Sequence, residues 1–315
     1  MLILILTYKC NYACIMCRKS SLDDNEYKRP GEMDYKKLEE TLRKYRKDLC
    51  LVQLFGGEPI HYKQFLKTIK LLQELKIPYC ICTNGYLLSQ EISHELLKGC
   101  LWVSFSLDAA DPNLYKKIRV GGNLQTVSSN IMFLNQLKER KKQHTPILNA
   151  NTTVFSYNIH DVPNLLYFCK RHGISSLSVG GGRLYNSPKV KEEHLIKNNK
   201  DKAVHYIAKA KETAKSLGIV LRVRLRSIQN TTPKPLETKP KHQTSFLRKF
   251  GLYFETTLQP DFNVVAASEN YKTMGNMSTE SLESIWNGAK GKYSNIRSRI
   301  PVQEENTKHL YYKQR

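Results

Sequence analysis

The feature that most constrains this chain is a repeated alternation, in which a short apolar run ends in a turn and is followed by an amphipathic segment, six times in succession. Leu2–Leu6 reads as a strand and Tyr35–Tyr45 as a helix, then Leu51–Phe55 as a strand and Tyr62–Leu75 as a helix. "IPYCICTNG" (Ile77–Gly85) gives a strand ending in a turn, with a helix over Ser89–Leu97. "LWVSFSLD" precedes a helix over Leu124–Lys138, "PILNANTTVFS" one over Val162–Arg171, and "ISSLSVGGG" a long polar helical region, Lys189–Leu217. Strands separated by helices pair in parallel through right-handed crossovers. "IVLRVRL" (Ile219–Leu225) adds a further strand.

After "TTPKPLETKPK" the pattern changes. "LYFETTLQPDFNVVAAS" reads as an antiparallel hairpin turning at Pro260–Asn263, and "STESLESIWNG" as a helix capped by Ser278 or Thr279, with Gly288 past its end. The expected organisation is an α/β body over 1–227 and a small α+β appendage over 228–315.

Parallel α/β folds keep their active sites at the carboxyl edge of the sheet. The first strand delivers "TYKCNYACIMCRK" to that edge, with Cys10, Cys14 and Cys17 inside eight residues. "MLILIL" is too short for a signal-peptide core, and no apolar run approaches bilayer length. A soluble, cytoplasmic protein is expected, in which thiols stay reduced. Cys50, Cys80, Cys82, Cys100 and Cys169 lie scattered in apolar stretches and read as small buried hydrophobes. Three thiolates on one loop suit zinc or an iron–sulfur cluster. Structural zinc wants four protein ligands, and no second Cys pair is present to complete them. Three ligands leave one iron of a four-iron cluster open, which is useful when a second ligand binds there.

Cys10-x3-Cys14-x2-Cys17 after an N-terminal strand resembles the cluster motif of the radical S-adenosylmethionine (SAM) enzymes. The resemblance implies a partial six-stranded (β/α) TIM-like barrel. It also implies a [4Fe–4S] cluster whose open iron is chelated by SAM, cleaved by one electron to methionine and a 5′-deoxyadenosyl radical. A low-potential donor such as flavodoxin or ferredoxin would supply that electron. Further resemblances follow at the strand ends. "FGGEP" (Phe55–Pro59) resembles the GGE motif: Gly56 and Gly57 would let backbone approach the ligand, and Glu58 would hold the SAM ammonium. "TNG" supplies Thr83 and Asn84 at the third strand end. In "SFSLD", Ser106 would bond the methionyl carboxylate or ribose, and Asp108 would line the same mouth. Arg119 in "YKKIRVGG" stands where relatives place an arginine against the methionyl carboxylate, its alternative being a solvated helix-end charge. Asn151 and Thr153 share a face of the fifth strand, from which they would reach the ribose or satisfy neighbouring backbone. Val179 opens the glycine edge "VGGG", against which adenine would lie. Met16 replaces the aromatic residue that many relatives carry before the third cysteine.

The appendage resembles the C-terminal half of SPASM or twitch extensions in "LQPDFNVVAAS", "GNMSTESLESIWNG" and "IRSR". Those extensions hold auxiliary clusters on cysteines. Here Ala266 or Ala267 stands where one is expected, and no cysteine follows Cys169. A degenerate, cluster-free extension is therefore expected. The chain starts at the first barrel strand, so a leader peptide would need a separate recognition protein, or the substrate is of another kind.

The formal charge of +22 admits a polyanionic partner, but the lysines are dispersed and no RNA-binding module is evident. Four functions stand: radical chemistry on a peptide or small polar metabolite; the same chemistry on RNA or a nucleotide; a non-catalytic zinc-binding interaction protein; and an inactive SAM-binding barrel.

Overall fold

The structure, a computed structural model, describes residues 1–17, 31–184, 189–225, 256–266, 272–281 and 284–285. Seven strands pair in parallel in chain order: β1 (Leu2–Thr7), β2 (Val52–Gly56), β3 (Tyr79–Thr83), β4 (Cys100–Ser106), β5 (Ile147–Val154), β6 (Ser176–Gly181) and β7 (Val220–Arg224). Between them run α1 (Tyr35–Lys44), α2 (Phe65–Glu74), α3 (Gln90–Leu96), α4 (Pro112–Ile118), α5 (Leu124–Arg140), α6 (Val162–Arg171) and α7 (Lys200–Leu217). The sheet is the wall of a partial TIM-like barrel and does not close on itself. Side chains alternate across it. On β5, Leu148, Ala150, Thr152 and Val154 are buried, whereas Asn149, Asn151 and Thr153 face the half-open interior. The outer face joins one continuous core that includes Leu4, Leu54, Ile81, Phe105, Leu166 and Leu177. Burying such side chains contributes about 1.5–3 kcal/mol each and sets the barrel's curvature around a polar inside.

Several expectations shift in detail. The helix expected over Tyr62–Leu75 begins at Phe65, because Pro59–His61 forms a separate 3-10 turn. Only Lys200–Leu217 of the long polar region is α-helical, ended by Gly218 in the left-handed conformation. Helix α4 had no sequence-based counterpart. Cys80, Cys100 and Cys169 are buried as expected, but Cys82 is partly exposed on the inner face and Cys50 is exposed.

The C-terminal strands β8 (Thr256–Leu258), β9 (Asn263–Ala266) and β10 (Lys272–Asn276) form antiparallel pairs, as the hairpin reading requires. β8 also pairs in parallel with β1, Leu4 opposite Leu258, so these strands widen the barrel sheet beyond its first strand. The turn between β8 and β9 carries Phe262 at φ 62°, nearly fully buried. The expected boundary at 227 and the tail of the last helix lie outside the described residues. Ser278 and Thr279, the caps expected for that helix, lie in a turn, and the Ser281 hydroxyl accepts from the Ser284 N–H at 3.1 Å. Among the described residues no helix is long and apolar enough to cross a membrane.

Candidate active site

The thiol loop leaves β1 at Thr7 and is held from two sides. From β2, the Gly57 N–H donates to the Thr7 carbonyl and the Glu58 N–H to the Lys9 carbonyl, both at 2.8 Å. A Cβ on Gly56 would stand 2.4 Å from the Thr7 oxygen, and one on Gly57 2.3 Å from the Lys9 oxygen. Gly56 also holds φ at +139°. The two glycines, expected to admit a ligand, thus admit the backbone of the thiol loop itself. From the other side, the Ala13 N–H donates to the Val120 carbonyl at 2.8 Å and the Ile15 N–H to the Ile118 carbonyl at 2.9 Å. A Cβ on Gly122 would meet the Arg119 oxygen at 2.8 Å and the Tyr12 ring at 2.9 Å. This strap after α4 escaped sequence reasoning, although the paired glycines after a helix end were its signal.

Polar hydrogens are aimed at the sulfurs. The Tyr12 N–H lies 3.4 Å from Cys10 Sγ, the Asn84 amide 4.0 Å from the same atom, and Arg119 Nη1 3.8 Å from Cys14 Sγ. Burial pushes the Cys14 thiol up to about 12, and the Arg119 guanidinium works against that shift. Cys17 is exposed, its N–H bonded to the Cys14 carbonyl at 3.0 Å. Among the described residues no three metal-binding side chains converge as they would around one ion. A four-iron cluster takes each of its thiolate ligands on a different iron. Donors directed at cluster sulfurs tune such a centre.

The strand-end residues join this loop in one network. Glu58, 1% exposed, accepts from the Thr83 hydroxyl and the Asn84 N–H, both at 2.7 Å, and from the Ile60 N–H at 3.3 Å. Burial raises its pKa to about 7 against the pull of those three bonds. The Asn84 amide donates to Asn11 Oδ1 at 2.9 Å, linking Glu58 to the thiol loop. Arg119 is not a solvated helix-end charge: it is 8% exposed and pairs with Asp108 at 2.6 Å. Its Nε is buried with no hydrogen-bond partner among the described residues, one donor left over for an incoming acceptor. Asp108, expected at the mouth, is instead buried beneath it, accepting also from the Thr153 N–H at 2.7 Å. Asn158 braces the same turn, donating to the carbonyls of Asp108 and Thr153 at 3.0 Å. Asp161 accepts from the N–H groups of Ala110 and Asp111 and so fixes the start of α4. Neither Asn158 nor Asp161 carried a local sequence signal.

Ser106 and Asn151 stand in register on the inner face. Cys82 lies 3.7 Å from the Ser106 hydroxyl, its thiol pKa raised by burial. The Val179 side chain faces the core, fully buried, so only its backbone reaches the inner edge. Met16 packs with Ile15 against the cluster of Phe155, Val190 and Leu195, beside the stacked pair Phe155–Tyr157, 5.1 Å between ring centres.

Because Glu58 ties Thr83 and Asn84 to the thiol loop, Glu58→Ala is expected to weaken SAM binding roughly tenfold or more while leaving the cluster bound, each charged hydrogen bond being worth about 1.5–3 kcal/mol. An unchanged dissociation constant would reduce "FGGEP" to a structural turn.

The profile of the Radical SAM superfamily matches residues 4–166. The "Probable GTP 3',8-cyclase" of Methanocaldococcus jannaschii is 29% identical over 171 residues, 53% of this chain and 54% of that protein. The "Tungsten-containing aldehyde ferredoxin oxidoreductase cofactor-modifying protein" of Pyrococcus furiosus is 28% identical over 56% of this chain and 50% of its own. The chain thus spans about half the length of these curated relatives. The crystal structure of Streptococcus suis SuiB bound to S-adenosylmethionine superposes with a TM-score of 0.67, covering 98% of this chain and 69% of SuiB at 17% identity. Native anSMEcpe with bound AdoMet gives a TM-score of 0.67, covering 95% of this chain and 84% of its own at 17% identity. At that identity the likeness is one of fold.

Proposed function

The chain belongs to the radical SAM superfamily, enzymes that work with a [4Fe–4S] cluster and SAM, and from that premise we propose that Cys10, Cys14 and Cys17 ligate the cluster and that the 5′-deoxyadenosyl radical supplied by bound SAM takes a hydrogen atom from a peptide or small polar metabolite. The observation that carries this reading is the thiol loop at the carboxyl edge, with a backbone N–H, a side-chain amide and a guanidinium aimed at its sulfurs.

This chain's own groups bind and orient. Arg119, its guanidinium fixed by Asp108, would bind the methionyl carboxylate. Glu58 holds Thr83 and Asn84 in the turn that meets the amino end of SAM. Ser106 and Asn151 take the ribose side, and the backbone at Val179 lies along adenine. Gly56 and Gly57 serve by seating the thiol loop. A flavodoxin or ferredoxin is the proposed electron donor. The C-terminal strands are proposed as a SPASM- or twitch-like extension without an auxiliary cluster, since no cysteine follows Cys169.

A second reading, nucleotide modification by the same chemistry, is favoured by the relatives named as GTP cyclases. Peptide substrates are favoured by the fold likeness to SuiB, solved with its precursor peptide SuiA. Anaerobic reconstitution tests the shared part. The expected result is about four irons per chain and a reduced-cluster spectrum that changes when SAM is added. Zinc in place of iron, or a spectrum indifferent to SAM, would remove the proposal. About eight irons with two distinct centres would mean that the extension does hold a cluster.

A further inference from the structure

Beyond the cofactor mouth, the inner face of the sheet carries charges that neither the cluster nor SAM uses. The strand register places Ser106, Asn151, Ser178 and Arg222 in one row across β4 to β7. The row above it holds Thr153, Gly180 and Arg224. On β7, Leu221 and Val223 pack towards the core, whereas Arg222 and Arg224 share the opposite, exposed face. Within the described residues neither arginine side chain makes a hydrogen bond or an ion pair, although the backbone of both belongs to the β6–β7 ladder. Among the described residues no carboxylate stands in either row, and the buried acids at the strand ends are engaged elsewhere, Asp108 with Arg119, Asp161 with the Ala110 and Asp111 N–H groups, and Glu58 with Thr83 and Asn84. Among the described residues a Cβ on Gly180 would meet nothing within 4 Å.

Two residues apart on one strand face, the Cα atoms of Arg222 and Arg224 stand about 7 Å from each other, close enough for both guanidinium groups to reach one anion. Held together without a carboxylate they repel, and a bound oxyanion relieves that repulsion through paired N–H donors. Arg222 lies three strands from Ser106, about 14 Å along the sheet. Less the reach of the arginine side chain, that span accommodates a small molecule or the end of a larger one.

We infer that Arg222 and Arg224 bind an oxyanion of the substrate, a carboxylate or a phosphate, at the β7 side of the barrel. Ser178 offers a hydrogen bond to its middle, and its far end reaches the side of Asn151 and Ser106, where SAM is proposed to sit. The identity of the bound molecule as substrate rests on the radical SAM reading, but the anion site does not.

The test uses the full chain, reconstituted and saturated with SAM, in about 0.15 M salt, where long-range surface attraction is screened. Inorganic pyrophosphate and succinate are each titrated calorimetrically into the wild type, Arg222→Gln/Arg224→Gln, Arg222→Lys/Arg224→Lys, and a charge-matched control, Lys170→Gln/Arg171→Gln on the exposed end of α6. At least one probe is expected to bind the wild type and to weaken about tenfold per arginine removed. The lysine pair is expected to recover part of that loss, and the control to stay within about twofold of the wild type. Pyrophosphate alone would identify a phosphate-bearing substrate, succinate alone a carboxylate-bearing one. Binding of neither probe, or equal loss in the α6 control, would overturn the inference. SAM cleavage by the wild type is scored separately: its absence would remove the radical SAM reading and leave the anion result standing.

Discussion

Cys14→Ala is expected to lose the cluster and SAM cleavage together, iron falling from about four per chain to near zero. Cys14 is the middle thiol of the three and half-buried, with Arg119 Nη1 3.8 Å from its sulfur. Alanine offers no thiolate, and the Arg119 guanidinium, still paired with Asp108, loses the sulfur it faces. Cys10→Ala and Cys17→Ala are expected to do the same. Cys50→Ala is the control, since that thiol is exposed and remote from the loop in sequence. Iron, sulfide and 5′-deoxyadenosine measured on each variant give the answer. Full SAM cleavage by Cys14→Ala would refute the ligand assignment.

Arg119→Met is expected to destabilise the fold by about 3–5 kcal/mol, the cost of leaving a buried charge without its partner. The stranded group is Asp108, whose side chain is fully buried and keeps only the Thr153 N–H. For a chain of this size that corresponds to a melting temperature lower by roughly 10 °C. Asp108→Asn/Arg119→Met is expected to cost less than the sum of its single changes, because the stranded charge is gone. Thermal unfolding of the set, followed by circular dichroism, checks both statements. A loss under about 1 kcal/mol, in the range of a surface pair, would mean that Arg119 does not hold the mouth together.

The order of the sheet was legible because each strand–helix unit announces itself locally, by an apolar run and then a helical stripe. The strand-end residues were legible by position: Glu58, Thr83, Ser106 and Asn151 all follow or end such runs. Their partners were not. That Asp108 turns inward to neutralise Arg119 depends on where α4 places its last residue, and α4 is only seven residues long. Its signals were present, Asp111 as a cap and Pro112 in the first turn, but a short helix between a strand end and two glycines gives no periodicity. The roles of Gly56 and Gly57 required knowing which atoms come within 3 Å of them, and those belong to a segment some fifty residues earlier. The parallel pairing of β8 with β1 joins Leu2–Leu4 to Thr256–Leu258, far apart in the sequence, which no local pattern encodes. Arg222 and Arg224 open the densest basic stretch of the sequence, Leu221–Phe250, and only the register puts them on the barrel's inner face.

The central claim is that the thiol loop and the strand ends beside it cleave SAM reductively. The direct measurement is anaerobic incubation of the reconstituted protein with SAM and dithionite, with 5′-deoxyadenosine and methionine quantified against time. The account predicts that both form in equal amounts, that neither forms without reductant, and that neither forms with Cys14→Ala. A fully loaded cluster that binds SAM, yet yields no 5′-deoxyadenosine under reduction, would contradict it.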